Sequence, residues 1–290
     1  MIDEFNKVIN YIEEDLLNDH PTGDIEKITG TSDYQFKRMF SFLTGMSLGE
    51  YIRNRRLSMA CQDLLGGAKV IDVAFKYGYQ STDGFSKAFQ EWSGFRPSEV
   101  SKKKQEKFFP KLEFSFQIKG GVTMEYRIEK KEAFNIVGVS KRIPIQFKGE
   151  NKEIIELAQS ITEKQRSEMR KLGNLYPNQV VNGSFSFDEQ RMNERGSLEH
   201  IIGFLTTKES SHEDLTTISV ESNLWAIFPT KGEFPKVMQE TWARIFSEWL
   251  PVSNYELVEA PEISFTNFED EATEKYSEIW IAVKDKRVEN

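Results

Sequence analysis

The 290-residue sequence has very little cysteine and histidine and no long apolar segment. Its single cysteine, Cys61, excludes a disulfide within the chain, which is typical of a protein in a reducing cytosol. No run of about 18 apolar residues occurs, so the sequence predicts no transmembrane helix. The start of the chain is acidic and lacks an apolar core, and we therefore expect no signal peptide and a cytoplasmic location.

Motifs that carry catalysis are also missing. The three histidines are far apart in the sequence, and no zinc-binding spacing is present. There is no glycine-rich phosphate loop and no nucleophile elbow. His200 lies in an apolar stretch and is interpreted as a structural histidine. We therefore expect no catalytic residue, no metal and no other cofactor, and we expect that the protein is not an enzyme.

Charge is distributed unevenly along the chain. The net charge of the whole sequence is -8, but residues 34–107 carry a net charge of +6 between acidic blocks, each of net charge -7, at residues 1–33 and 108–290. A basic block between acidic blocks is the pattern of a local polyanion-binding surface. The charge pattern therefore favours nucleic-acid binding by residues 34–107.

The first hundred residues carry apolar side chains at helical spacing and are predicted to be all α-helix. A short helix, a tight turn and a second helix occur twice, over residues 22–43 and 70–93, with a long helix between them. Ser32 and Ser81 are the predicted N-caps of the two second helices. This order predicts two helix-turn-helix units, whose second helices enter the major groove of DNA.

The outward face of such a helix must carry hydrogen-bonding side chains, whereas its inward face is apolar. The predicted inward residues are Phe36, Met39, Phe40 and Leu43 in the first unit, and Phe85, Ala88, Phe89 and Trp92 in the second. Arg55, on the long helix, is either a phosphate contact or a solvated charge. The candidate DNA-binding residues are Tyr34, Lys37, Arg38, Ser41, Arg55, Thr82, Asp83, Ser86 and Lys87.

Four segments together resemble the signature of the AraC/XylS family of regulators. They are IRNRRLSMA (52–60), VIDVAFKYGYQS (70–81), GFSKAF (84–89) and GFRPSE (94–99). The resemblance implies a double helix-turn-helix domain over residues 1–107. It also implies base contacts by Tyr34, Lys37 and Arg38 in the first unit and by Thr82, Asp83 and Lys87 in the second.

The pattern changes after residue 107. Residues 108–122 are interpreted as a linker, although apolar residues already alternate from Leu112 to Ile118 as in a strand. Two strand-helix-strand-strand units follow over residues 123–287, with helices predicted at 151–172 and 235–250. Further strands are predicted near 124–128, 134–139, 180–187, 200–206, 217–229, 255–265 and 277–283. The fold class is therefore an all-α domain followed by an α+β domain of two β-α-β-β halves around a cleft.

The second half of the chain resembles the GyrI-like effector-binding domains of Rob-type and multidrug-sensing regulators. The resemblance rests on residues 125–140, 225–232, 242–256 and 277–284 and spans nearly all of residues 122–285. It implies a cleft between the halves, lined by aromatic rings with an acidic residue at its base. One departure concerns Ser264 and Thr266, because the family often has a Glu and a Tyr at these positions.

Glu278 is the candidate for the acidic residue. Strand alternation places Glu278 and Trp280 on one face and Ile279 and Ile281 on the other, as a cleft wall requires. A carboxylate beside aromatic rings suits a flat cationic ligand. Alternatively, Glu278 is a solvated surface residue and the rings belong to the core. The candidate ligand-binding residues are Glu278, Trp280, Trp225, Phe185 and Tyr126.

We therefore expect a sequence-specific DNA-binding transcription regulator whose C-terminal domain senses a small aromatic or cationic molecule. Its expected partners are double-stranded DNA, a small-molecule effector and RNA polymerase. Two alternatives remain for the C-terminal domain, namely a small-molecule hydrolase and a protein-binding module.

Overall fold

The computed structural model describes residues 2–18, 23–115, 124–145, 151–188, 196–209, 213–268 and 273–287. These residues form two compact units. The first contains residues 2–18, 23–33 and 46–115, and the second contains residues 34–45 and the described residues from 124 onward. The domain boundaries at 107 and 122 stay a prediction, and residues 116–122 of the predicted linker lie outside the described ranges.

The N-terminal part of the chain is helical, as predicted. Its helices are α1 (Ile2–Glu14), α2 (Asp24–Thr29), α3 (Asp33–Thr44), α4 (Leu48–Leu65), α5 (Val70–Lys76), α6 (Thr82–Ser93) and α7 (Pro97–Lys103). The predicted cap Ser81 is confirmed, because its hydroxyl accepts a hydrogen bond from the Gly84 amide. The hydroxyl of Ser47 caps α4 in the same way and accepts a hydrogen bond from the Glu50 amide. None of the helices in the described ranges is both long and apolar enough to span a membrane.

The core of the first unit lies between α4, α5, α6 and α7. Leu57 and Leu64 of α4 pack in one buried cluster with Val73 of α5 and with Phe85 and Phe89 of α6. The helix α7 is absent from the sequence-based prediction. It begins at Pro97, and proline is tolerated there because the first N–H of a helix has no acceptor within the helix. Glu99 accepts a hydrogen bond from the Arg96 amide.

The strand predicted from Leu112 is wrong for its described residues, because residues 105–115 have no regular secondary structure. The backbone of Phe114 bonds instead to the side-chain amide of Asn6 on α1, with distances of 2.9 Å and 2.8 Å. Its ring lies 5.0 Å from that of Phe5. The apolar alternation of this segment therefore serves packing on a helix.

The second unit contains a nine-stranded antiparallel sheet in the order β1-β6-β9-β8-β3-β4-β2-β5, with β7 paired to β9. The strands are β1 (Arg127–Lys131), β2 (Phe134–Pro144), β3 (Val181–Asp188), β4 (Ser197–Thr206), β5 (Thr216–Val220), β6 (Asn223–Gly232), β7 (Tyr255–Leu257), β8 (Glu262–Thr266) and β9 (Lys275–Asp285). Its further helices are α8 (Lys152–Ser160), α9 (Glu163–Leu172) and α10 (Lys236–Arg244). The predicted α+β class is confirmed.

The two halves join where β3 of the first half pairs with β8 of the second, with Asn182 opposite Ser264. Within the first half, β2 and β4 approach closely at Gly138 and Gly203. A Cβ atom on Gly203 would lie 2.2 Å from the Val137 carbonyl oxygen. Only glycine therefore fits where these two paired strands approach each other so closely.

Several predicted elements are divided in the structure. The single helix predicted over 151–172 is two helices, because Ile161 is extended and Thr162 caps α9 with Gln165. The predicted strand 217–229 is β5 and β6, and the predicted strand 255–265 is β7 and β8. The helix predicted to Leu250 leaves α-geometry at Ile245 and continues as a π-helical turn.

The sheet has two differently covered faces. One face carries an apolar cluster that includes Trp225, Ile263 and Trp280. On the other face, Ile202 and Phe204 pack against Leu157 of α8 and Met169 of α9. Because side chains alternate along a strand, neighbouring residues of β8 and β9 belong to opposite faces.

Candidate DNA interface and ligand sites

The helix α6 presents a polar surface opposite its buried face. Phe85 and Phe89 are fully buried, as predicted. Asp83 and Lys87 are exposed, whereas Thr82 and Ser86 are partly exposed on the same side of the helix. These four side chains offer both hydrogen-bond donors and acceptors, as readout of base edges requires. Their contact with DNA stays a prediction.

The helix α3 differs from its predicted arrangement. Tyr34 and Lys37 are half-buried. Arg38 and Ser41, which we predicted to face outward, are 3% and 0% exposed, while Leu43, predicted to be buried, is 42% exposed. The predicted exposure of these three residues is therefore wrong, because residues 34–45 pack as part of the second unit. A DNA contact by any of them stays a prediction.

Arg38 is held by a carboxylate of the sheet. Its Nε and Nη2 atoms donate to the two oxygens of Glu262 at 2.8 Å and 2.7 Å. Its guanidinium carbon lies 4.0 Å from the ring centroid of Phe187 and 5.0 Å from that of Phe42. Arg38 thus combines a bidentate ion pair with cation–π contacts, which planar guanidinium groups favour.

Arg55 is also engaged inside the protein. Its Nε and Nη2 atoms donate to the carboxylate of Glu13 at 2.7 Å and 2.8 Å, and Nη1 donates to the Phe109 carbonyl. Burial by itself would raise the pKa of Glu13, but hydrogen bonds from Arg55 and Tyr51 hold that pKa below its usual range. Arg55 is 7% exposed, so it is not a solvated charge. A phosphate contact by Arg55 stays a prediction.

Glu278 lies in a network of hydrogen bonds and is only 1% exposed, so it is not a solvated surface residue. Its Oε1 accepts from the hydroxyls of Tyr276 and Tyr176 at 2.6 Å and 3.2 Å and from Arg127 at 2.9 Å. Its Oε2 accepts from the Trp280 indole at 2.7 Å. Burial and the hydrogen bond to Glu278 raise the pKa of Tyr276 well above its ordinary value.

Aromatic rings surround this carboxylate. Tyr176 stacks on Trp280 with ring centroids 6.1 Å apart, and Phe265 meets Trp280 edge to face. Lys131 lies 4.4 Å from the centroid of the Trp280 ring. Trp225 is buried in the same cluster, and its indole nitrogen has no hydrogen-bond partner among the described residues. The arrangement has the aromatic and acidic groups that a flat cation would contact.

The other two candidates are placed differently. Phe185 is half-buried and packs against the cluster that contains Trp225 and Trp280. Tyr126 is 47% exposed and packs against Trp249 and Phe228. Phe228 pairs with Ile279, so strand alternation puts it on the face opposite Trp280. The structure therefore brings Glu278 and Trp280 into contact and places Trp225 and Phe185 in or against the apolar cluster of Trp280, whereas Tyr126 packs elsewhere.

Sequence reasoning missed three partners of Glu278. Tyr276 could have been found, since it lies two residues before Glu278 and hence on the same strand face. Tyr176 and Arg127 could not, because they come from a loop before β3 and from β1.

A cavity of about 1090 Å³ lies on the other face of the sheet, where α3 and α10 contribute to its wall. Glu262, Ser264 and Thr266 line it from alternate positions of β8. Apolar walls come from Phe187 and from Trp242 of α10, among others. Glu262 is also absent from the sequence-based prediction. No signal in the sequence indicated it, because its partner Arg38 is 224 residues away in the chain.

His200 belongs to the lining of the same cavity and is 3% exposed. Its Nδ1 lies 3.0 Å from the Ser184 hydroxyl and its Nε2 lies 3.2 Å from the Asn182 amide oxygen. Burial lowers the pKa of His200 from 6.5 to about 4. Across the described residues there is no group of three or more histidine, cysteine or acidic side chains that could hold a metal ion.

Comparison with known proteins finds two family models along the chain. The model of the GyrI-like small molecule binding domain matches residues 124–284, and that of a helix-turn-helix domain matches residues 25–103. The two resemblances found in the sequence, to AraC-type and to GyrI-like domains, are thereby confirmed.

Individual proteins are similar to parts of this chain. The HTH-type transcriptional activator AarP of Providencia stuartii is 36% identical over 94 residues, which are 32% of this chain and 70% of AarP. The regulatory protein SoxS of Salmonella typhimurium is 33% identical over 93 residues, which are 32% of this chain and 87% of SoxS. The solved structure of SAV2435 bound to tetraphenylphosphonium is 17% identical, with a TM-score of 0.43, over 56% of this chain and 94% of that chain.

Proposed function

This chain belongs to the family of proteins with a GyrI-like small molecule binding domain, and from that membership we propose that it couples the binding of a small molecule to the control of transcription. It also carries an AraC-type helix-turn-helix domain, the DNA-binding module of a regulator family.

For DNA we propose sequence-specific binding through α6, with Thr82, Asp83, Ser86 and Lys87 as the reading side chains. The supporting observation is the polar outward side of this helix above the buried rings of Phe85 and Phe89. We propose that α3 makes the remaining contacts to the operator, with Tyr34 and Lys37 as candidates alongside Arg38. A DNA-bound regulator acts by recruiting or hindering RNA polymerase, and this role places the protein in the cytoplasm with the chromosome.

For sensing we propose a flat, cationic aromatic ligand at Glu278. The observation that carries this proposal is a carboxylate 1% exposed and surrounded by Trp280, Tyr176 and Tyr276. A cationic ligand would compete with Arg127 for the carboxylate of Glu278, and the aromatic rings would stack on the flat face of the ligand. The proposed role of the C-terminal domain is therefore binding and not catalysis.

The proposed DNA binding is tested by fluorescence anisotropy of the full chain with DNA fragments of its own promoter region and with random duplex DNA. We expect tighter binding to one promoter fragment and a steep loss of affinity with salt, because phosphate contacts release counterions. Lys164→Ala, an exposed change on α9, is the matched control for Lys87→Ala on α6. Absence of binding to every fragment at low salt would refute this half.

The sensing half is tested by calorimetric titration with N-methylacridinium and with neutral acridine. We expect the cation to bind the wild type more tightly than the neutral analogue does. Glu278→Gln removes the charge and should abolish that preference while leaving acridine binding unchanged. Equal affinity of the wild type and Glu278→Gln for the cation would mean that Glu278 is not the countercharge.

A further inference from the structure

The two outer strands of the sheet in the second unit differ in charge. The strand β1, at one end of the sheet, has the sequence RIEKK, in which four of the five residues are charged. The strand β5, at the other end, has the sequence TTISV and carries no charge. Charged side chains on an outer strand keep other strands from pairing with its outward N–H and C=O groups. The edge at β1 is protected in this way, whereas the edge at β5 is not.

The strand β5 also has the regular backbone that pairing on its outer side requires. It pairs with β2 from Val220 opposite Phe134 to Thr216 opposite Gly138, without a bulge. Four of its five residues are β-branched, which favours extended backbone, and none is proline. Within the part of the chain that the structure describes, β2 is its only neighbour in the sheet. The strand therefore lacks the devices by which proteins commonly block an edge, and its outward backbone groups form a regular row.

The side chains of β5 alternate between two environments. Val220 is buried in the apolar cluster that includes Trp225, and Ile218 packs against the same cluster. Thr217 and Ser219 are exposed, and strand alternation places them on the opposite face of the sheet. A strand that pairs with β5 must therefore match small hydroxyl side chains on one face and aliphatic side chains on the other.

We propose that β5 pairs with β5 of a second copy of this chain, antiparallel and centred on Ile218, to form a two-fold symmetric dimer. In this register Thr217 of one copy lies opposite Ser219 of the other, and cross-strand pairs of hydroxyl residues stabilise a sheet. On the other face Thr216 lies opposite Val220, and Ile218 lies opposite Ile218. Because opposed residues are an even number of positions apart, the outward backbone groups of the two strands face each other.

The acidic residues that flank β5 favour this register. Glu213 and Asp214 precede the strand, and Glu221 follows it. With Ile218 opposite Ile218, Asp214 lies opposite Ser222, and no two of these carboxylates are directly opposed. A slip of one residue toward the N terminus places Asp214 opposite Glu221, and a slip of two residues places Glu213 opposite Glu221. Like charges directly opposite each other destabilise a strand pair, and a slip of one residue also exchanges the two faces.

Pairing through β5 ends at two copies of the chain. Both copies contribute the same strand, so the contact is closed and leaves no β5 edge for a third copy. The joined sheet then ends in β1 on both sides, and the charges of β1 oppose further growth. Two strands of five residues bury less than the standard interface of about 1,600 Å², so we expect a dimer with a Kd in the micromolar range.

The dimer has a consequence for DNA binding, and this consequence alone rests on the proposed function. A two-fold symmetric regulator reads two half-sites that are related by the same symmetry. We therefore expect the operator to be an inverted repeat, with each half bound by the helix-turn-helix domain of one copy.

The first experiment places charges on the exposed face of β5 in the full chain and measures the dimer Kd by sedimentation velocity. Thr217→Lys with Ser219→Lys puts lysine opposite lysine twice across the symmetry axis, and we expect the Kd to rise by about tenfold or more. Thr217→Glu with Ser219→Glu should have the same effect. In a mixture of these two variants each lysine lies opposite a glutamate, so native mass spectrometry should find the mixed dimer in excess of either homodimer.

Matched controls separate the effect of the strand from that of net charge and of folding. Glu156→Gln with Gln159→Lys, at exposed positions of α8, changes the net charge by as much as the lysine variant and should leave the dimer Kd unchanged. The hydrogen bond from the Ser219 hydroxyl to Asn135 is lost equally in the lysine and the glutamate variants. Thermal unfolding of each variant shows that the fold is retained.

The second experiment determines the register with cysteines. Thr217→Cys and Ser219→Cys lie opposite each other only between different copies, so mild oxidation should cross-link a mixture of the two single variants far more than either variant alone. The native Cys61 is 1% exposed and does not compete. Equal cross-linking of the mixture and of each variant alone would overturn the register centred on Ile218.

The remaining outcomes separate the dimer from the proposed function. A wild type that stays monomeric at high micromolar concentration, or lysine and glutamate variants that do not associate with each other, would overturn this inference and leave the proposed function intact. Absence of operator binding in the wild type and in every variant would refute the proposed DNA binding, while mass spectrometry would still decide whether β5 forms the dimer.

Discussion

Glu278→Gln removes one buried charge while it keeps the shape of the side chain. The carboxylate accepts hydrogen bonds from Tyr176, Tyr276, Arg127 and Trp280. A Gln side chain has one acceptor oxygen, and its NH₂ group would face at least one of these donors. If the oxygen stays with the tyrosines, the donor left facing NH₂ is the Trp280 indole.

The size of the effect follows from these contacts. Loss of a hydrogen bond to a charged group costs roughly 1.5–3 kcal/mol, and an unsatisfied buried donor costs a similar amount. The ion pair with Arg127 adds less, because that side chain is 37% exposed and solvent screens it. We therefore expect the free energy of unfolding of the second unit to fall by about 3 kcal/mol, which corresponds to a drop in Tm of roughly 6–12 °C.

Urea unfolding followed by tryptophan fluorescence measures this change, because Trp225 and Trp280 lie in the affected cluster. Glu129→Gln is the matched control: Glu129 also pairs with Arg127, but its side chain is 40% exposed, and we expect a loss below about 1 kcal/mol. A Glu278→Gln variant within about 0.5 kcal/mol of the wild type would refute the reasoning that this network stabilises the fold.

Three further predictions concern the other residues of the candidate sites. Lys87→Ala should cost about 1–3 kcal/mol on the operator and less on random duplex, as measured by anisotropy; equal losses would show that Lys87 contacts phosphate only. Arg55→Ala should destabilise the first unit by about 3 kcal/mol in thermal unfolding, because it leaves Glu13 buried without its partner. Unchanged unfolding with a smaller salt dependence of DNA binding would instead assign Arg55 to phosphate. Because the pKa of His200 is lowered from 6.5 to about 4 in the folded state, the unfolded state binds the proton first as the pH falls. Stability should therefore decline between about pH 6.5 and pH 4, by up to about 3 kcal/mol, and His200→Gln should flatten this decline in unfolding measured against pH.

Local signals explain why much of the helical region could be predicted. Apolar spacing placed α4 and α6, and serine caps fixed where they begin, because capping depends on residues only a turn apart. Strand alternation likewise placed Glu278 and Trp280 on one face. Divisions within elements were missed where a local cap or a change of backbone geometry interrupts a continuous apolar pattern, as at Thr162.

Residue patterns indicated the fold classes, the two family resemblances, and a carboxylate and a tryptophan on one strand face. Which charges are buried, and with which partners, depends on the tertiary fold. Arg38 has the side chain and the position in the helical pattern that are typical of an outward-facing DNA contact, yet it is buried against Glu262. The physical reason is that burial and ion pairing depend on residues hundreds of positions apart, whereas periodicity reports only on neighbours within a few turns or pleats.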